Sequence, residues 1–269
     1  MLLESIKYVT NNLKAVLFLT LLIITMIIPN IGMVFGGYSF IVNGLNPFSV
    51  VLLISSLILI ILLTLFFQGY MVQFLRSRSS GGEMAPDVIP GSISDLNVML
   101  KEGFSFTLIV IIYTIIPLVL FSLIFLSIYP ISMFIEYGMA LTYAGDSEIA
   151  SLTEGMLPAI FSLIGISILL AAYSYYVIPA PILVYANNRN FAMAFSLNKI
   201  TNLLFNRAYI IGFLYVLLAI LLITIISIVV ALIPLIGWLI SIPISIMGGL
   251  TVWSIWGQVY REIFSPLGS

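Results

Sequence analysis

Apolar runs of eighteen or more residues recur along this chain, and six of them are long enough to cross a bilayer as helices. A helix needs about 20 mostly apolar residues to span a hydrocarbon layer about 30 Å thick. The runs place spans over about 13–34, 48–75, 104–128, 159–185, 208–233 and 238–260. The short alternating segments of a membrane β-barrel are absent. Helices are therefore the spanning elements, because each satisfies its own backbone polar groups within the segment. Of the 269 residues 62% are hydrophobic and only 7% are charged. A soluble domain carries about 25% charged residues, so this chain cannot cover a water-facing surface. The expected fold class is all-α: one polytopic integral membrane domain over residues 1–269, with six transmembrane helices and short cytoplasmic interfacial helices.

The few charges give the chain a direction. Six spans put both termini on one side, and all nine basic residues fall on that side: Lys7, Lys14, Arg76, Arg78, Lys101, Arg189, Lys199, Arg207 and Arg261. The positive-inside rule places that side in the cytoplasm. Five or seven spans would scatter the bases over both sides. The expected location is the cell membrane, with both termini cytoplasmic. Residues 15–28 also have the length of a signal-peptide core, but the acidic Glu4 and the amphipathic spacing of residues 1–14 favour a retained first span.

Between the spans, Met1 to Asn12 is expected at the interface, and Asn43 to Pro47 reads as a turn. Pro29 and Asn30 are expected to disturb the far end of the first span. Residues 68–103 form the longest charged and flexible stretch. Within it, Ser92 and Asp95 fit a capping box that opens a short helix, with Ile93, Leu96, Leu100 and Phe104 on one face. Residues 129–158 read as a polar outer segment holding Glu136, Asp146, Glu148 and Glu154. Pro179 and Pro181 close the fourth span, and residues 187–207 carry a modest stripe of Met193, Leu197, Ile200 and Leu204. The order of spans and amphipathic segments is compatible with an inverted repeat, as in some transporters. It is equally the balance any six-helix chain can show, and no residue-level self-similarity marks it.

The absence of Cys and His removes thiolate chemistry, the usual proton shuttle and the commonest transition-metal ligand. No Asp, Glu, Lys or Arg sits well inside a span, which weakens proton relays, ion paths and voltage sensing. No catalytic residue, metal site or cofactor is expected, and a near-zero net charge gives no reason to expect nucleic acid as a partner. The four acidic residues of 129–158 fit no cation-loop spacing. Tyr173, Ser174, Tyr175 and Tyr176, with Tyr113 and Thr114, form the most polar patch within the spans. They line a ligand cavity in one reading; in the other they are interhelical hydrogen-bonding groups. Gly32 and Gly36, and the ladder Ser241, Ser245 and Gly249, have the small-residue spacing of helix-packing seams, within this chain or with another membrane protein or a second copy. Arg76, Arg78, Lys101, Arg189, Lys199 and Arg207 set topology, and in the second reading also meet anionic lipid head groups.

Several short motifs follow one another in a characteristic order. They are Gln68-Gly69-Tyr70 with Arg76, Pro90 with Asp95 to Gly103, Phe191 to Phe195, and Gly257 to Glu262. In these the chain resembles domain-of-unknown-function family 4013, a largely archaeal family of multi-pass membrane proteins. The resemblance implies a cell-membrane protein and carries no established activity. The functional expectation is a non-enzymatic protein that handles or senses lipid or another amphipathic molecule, with membrane lipids as partners. The alternatives are a small-solute transporter or channel, and a structural partner of another membrane protein.

Overall fold

The structure is a computed structural model. It describes the whole chain except Leu45, Glu83, Val88, Ala144, Gly145, Pro234, Leu235 and residues 265–269, and only the backbone at 136–137, 140–143, 146–155 and Trp238. Ten α-helices occur among the described residues, and no strand: α1 (Leu2–Thr10), α2 (Leu13–Asn43), α3 (Pro47–Ser79), α4 (Ile93–Ile128), α5 (Ile131–Tyr143), α6 (Asp146–Tyr176), α7 (Pro179–Asn188), α8 (Leu197–Leu204), α9 (Arg207–Ala231) and α10 (Gly237–Phe264). Six helical stretches are long and apolar enough to cross a membrane: Leu13–Asn43, Pro47–Ser79, Ile93–Ile128, Met156–Asn188, Arg207–Ala231 and Leu239–Phe264. The protein is thus an all-α, multi-pass integral membrane protein.

Polar side chains start several helices. Asn46 accepts from the Ser49 amide at 2.8 Å, with Pro47 in the first turn of α3. Asn206 accepts from the Ala208 amide at 2.9 Å at the start of α9. Both satisfy amide groups that the helix itself cannot.

The helices depart from the sequence expectation in five places. First, α2 runs through Pro29 and the glycines to Asn43. Membrane helices tolerate proline because nearby groups take over the freed backbone, and Asn30 Nδ2 donates to the Met26 carbonyl at 2.7 Å. Second, no separate helix precedes the third span: the helix that begins beyond Ser92 continues unbroken as α4. Ser92 Oγ accepts from the Asp95 amide at 3.2 Å and donates to Asp95 Oδ2 at 2.8 Å. The face buried there carries Met99, Glu102, Gly103 and Phe106, while Ile93 and Phe104 are exposed. Third, the segment 129–158 is mostly helical, forming α5 and the start of α6. Fourth, Pro179 and Pro181 do not end the fourth span. The break falls at Val177–Ile178, and Pro179 opens α7, where a missing amide costs nothing. Fifth, the stripe after α7 is not continuous. Met193 lies in a 3₁₀ turn, Phe191–Phe195, and within α8 the buried residues are Ile200 and Leu203 while Leu197 is exposed.

The chain divides into two compact units: Met1–Ile109 with Ala180–Ser269, and Val110–Pro179. In the first, α2 packs on α3, and α9 and α1 on α10. Its core holds Tyr8, Val16, Leu19, Tyr70, Met71, Phe74, Met99 and Leu250. Gly212 on α9 receives Val259 of α10, and Tyr209 lies against Trp256 with ring centres 4.5 Å apart. In the second unit α5 contacts α6, and Tyr129 and Ser162 share a hydrogen bond of 3.1 Å.

Candidate functional site

The first unit is tied together at its arginine-bearing end. There α3 and α4 cross with almost no side chain between them. A Cβ on Gly69 would overlap the Met99 carbonyl, and one on Gly103 the Leu65 carbonyl. Gln68 Oε1 accepts from the Thr107 hydroxyl at the same crossing. About two turns beyond Gly69 on α3, Arg76 reaches Glu102 at 2.7 Å, and its Nε donates to the Ala186 carbonyl of α7 at 2.7 Å. The Arg76–Glu102 contact is an ion pair by distance, yet neither Arg76 Nη2 nor Glu102 Oε2 completes a hydrogen bond. Ser79 Oγ donates to Asn187 Oδ1 at 2.6 Å, adding a second bond from α3 to α7.

Helix α1 is fastened to the same end through Gln258 of α10. The Gln258 amide and Ser5 Oγ are 2.7 Å apart. In the amide orientation that suits Glu4 and Arg78, Gln258 Oε1 accepts from Arg78 at 2.5 Å and from Ser5, and its nitrogen donates to Glu4 at 3.3 Å. The Arg78 guanidinium lies over the Tyr8 ring, 4.6 Å from its centre. Burial pushes the Tyr8 phenol above its ordinary pKa, against the pull of its Ser77 hydrogen bond and of Arg78. Arg76 and Arg78 are therefore engaged by protein groups. Lys101, Arg189 and Arg207 are exposed. Lys199 donates to Asn188 Oδ1 at 3.3 Å, and Arg189 adopts a left-handed φ of 53° just beyond α7.

Further along the spans the first unit opens sideways. Ile23 of α2, Phe67 and Met71 of α3, and Ser241, Ile242, Ser245, Ile246, Gly249, Leu250 and Trp253 of α10 line a groove of about 410 Å³. The Ser245 hydroxyl is turned back to the Ser241 carbonyl at 2.8 Å, so it presents little polarity to the groove. A Cβ built on Gly249 meets nothing within 4 Å. The ladder Ser241–Ser245–Gly249 thus borders open space. By contrast, Gly32 and Gly36 of α2 lie against Ser56 and Leu53 of α3. Among the described residues no titratable side chain lines the groove, and its size falls in the range of about 300–1,000 Å³ typical of small-molecule sites. The lining is mostly apolar, with Ser241 and Ser245 among it.

In the second unit, Tyr113, Thr114, Tyr173, Ser174 and Tyr176 are half-buried and Tyr175 is exposed. Ser174 Oγ donates to the Leu170 carbonyl of its own helix at 2.7 Å, and Tyr113 and Tyr173 lie within electrostatic reach of each other. A recess of about 340 Å³ in this unit is lined by Phe121, Ser122, Phe125, Leu163, Ser167 and Leu170 among others, and not by these tyrosines. The side chains of Glu136, Asp146, Glu148 and Glu154 lie outside the described residues. Among the described residues no group of three or more acidic side chains is placed to hold a metal ion.

A family model described as "protein of unknown function (DUF4013)" matches residues 52–236, more than half of the chain. The chain belongs to this family. The DUF4013 match takes in most of α3, the Gly69–Gly103 crossing, the Arg76–Glu102 pair and α4 to α9. It leaves out α1, α2 and the Gly257 to Glu262 segment, so the α10 side of the groove and the Gln258 network lie beyond the matched residues. No curated protein and no solved structure matches the chain.

Sequence reasoning missed Glu102, Gln258 and Tyr8 as partners of the arginines. Glu102 and Gln258 did carry a signal, being long polar side chains at the edges of apolar spans, where burial demands a partner. Tyr8 carried none.

Proposed function

We propose that this DUF4013 protein is a non-enzymatic membrane protein that binds a lipid or other amphipathic molecule, with the apolar chain seated in the lateral groove between α2, α3 and α10. The observation that carries the reading is the groove itself: apolar, without titratable groups, and floored by the open Gly249. In a bilayer the solvent for such a groove is acyl chain. A fixed groove on a rigid helix ladder selects a chain in a way fluid lipid does not. In this proposal the protein sits in the cell membrane with both termini and the basic loops in the cytoplasm, as the one-sided placement of Lys and Arg supports.

The test is lipid analysis of the purified protein by native mass spectrometry after mild detergent extraction. Wild type is expected to retain a stoichiometric lipid, and Gly249→Leu, which fills the groove, to lose it without loss of folded protein. Wild type that releases all lipid under conditions preserving the fold overturns the reading.

A second reading, small-solute transport, draws on the break between α6 and α7 at Val177–Ile178. Discontinuous helices expose backbone groups that can bind a solute. Flux of a solute into proteoliposomes would favour it.

A further inference from the structure

We infer a second site in the first unit, at the corner between α1 and α2, that binds the head group of a zwitterionic phospholipid bearing a primary amine. Residues Thr10 to Ala15 and the loop residues Met84 to Asp87 enclose a recess of about 410 Å³ there, with markedly more polar lining than the groove. The loop is held in place: the Ala85 amide donates to Asn12 Oδ1 at 3.0 Å, and Asn12 Nδ2 donates to the Tyr8 carbonyl at 2.6 Å. Two opposite charges line this recess from separate elements, Lys14 and Asp87, and they do not form an ion pair with each other or with any described residue. Close by, the Tyr70 hydroxyl is completely buried, lacks a hydrogen-bond partner, and lies within electrostatic reach of Asp87. A buried hydroxyl without a partner is costly.

The position selects the ligand. Leu13 begins the first membrane-crossing helix, and α1 before it exposes Leu3 and Ile6. The recess therefore lies at the boundary between apolar span and polar chain, the level at which a bilayer carries its head groups. A purely anionic or cationic ligand would leave one of the two side chains uncompensated. A phosphate beside the Lys14 ammonium and an amine beside the Asp87 carboxylate satisfy both. Hydrogen bonding to a carboxylate favours a primary ammonium, which has N–H donors, over a quaternary one, which has none. This site deepens the lipid reading above and rests on it for the source of the head group.

The test uses the full chain in nanodiscs made from equal parts phosphatidylethanolamine, phosphatidylcholine and phosphatidylglycerol, with retained lipid identified by native mass spectrometry. Wild type is expected to enrich phosphatidylethanolamine over phosphatidylcholine by roughly threefold to fivefold, the size of one charge-assisted surface contact. Asp87→Asn is expected to abolish that preference, and Lys14→Gln to weaken retention of all three lipids. Both side chains are exposed, so neither change threatens the fold. Retained lipid with no head-group preference, or a preference that survives Asp87→Asn, overturns this site while leaving the groove standing. Wild type without any retained lipid overturns the groove as well. Soluble phosphoethanolamine in excess is expected not to displace the lipid; full displacement would mean that the site takes a free solute instead.

Discussion

Gly103 of α4 packs directly on Gly69 of α3: a Cβ on Gly103 would stand 3.0 Å from the Gly69 amide nitrogen and overlap the Leu65 carbonyl. The obstacle on each side is backbone, which cannot swing away as a side chain can. Gly69→Ala and Gly103→Ala are therefore expected to force the helices apart, each at a cost of about 1–3 kcal/mol. Thermal unfolding in detergent, followed by tryptophan fluorescence, checks this. Gly249→Ala serves as the contrast, since its Cβ enters open space and alanine favours helix by about 0.5–1 kcal/mol over glycine. An equal loss at Gly69 and Gly249 would show that the crossing is not as tight as described.

The Arg76–Glu102 pair joins α3 to α4, and Arg76 also holds α7. Breaking one side leaves the other charge largely buried without its counter-charge. Glu102→Ala and Arg76→Ala are each expected to destabilise the protein by about 3–5 kcal/mol. Replacing both with apolar residues, as Arg76→Met with Glu102→Leu, is expected to recover much of that loss. The double-mutant cycle on thermal midpoints is the measurement. A double variant as damaged as the sum of the singles would mean that the pair is not coupled.

Gln258 of α10 bonds Ser5 and Glu4 of α1 and Arg78 of α3. Gln258→Leu keeps the volume and removes the bonds, leaving Ser5 and Arg78 short of partners, at a cost of about 1–3 kcal/mol. The effect is expected to be local, because α1 is a short helix at the edge of the unit. Hydrogen exchange should rise across Leu2–Thr10 while the amides of α3 and α9 keep their protection. Unchanged exchange in α1 would show that apolar packing of Tyr8 and Val9 alone holds it.

Much of this architecture is legible from residues alone. Six apolar runs match the six candidate crossings, and Ser92 with Asp95 marks the beginning of α4. The fusion of that helix to the third span was not legible, since no glycine or proline separates them and no polar gap was needed to join them. That Arg76 meets Glu102 and Arg78 meets Gln258 was not legible for a related reason. A base at the end of a span looks the same in sequence whether it meets a head group or a buried Glu102.

Sequence by itself determined that this chain crosses a membrane, how many segments can do so, and that its bases fall near the termini and in the segments after the second and fourth apolar runs. These properties depend on length and composition, which the hydrocarbon layer tests segment by segment. Tertiary structure alone decided which face of each span is buried. It also decided that Gly32 and Gly36 meet α3 while Gly249 borders a groove, and that Lys14 and Asp87 share a recess. The reason is that lipid tails are as apolar as leucine, so hydrophobicity does not distinguish a face turned to lipid from one turned to protein. Only close packing, small residues in register and paired polar groups make that distinction, and these arise between segments distant in sequence.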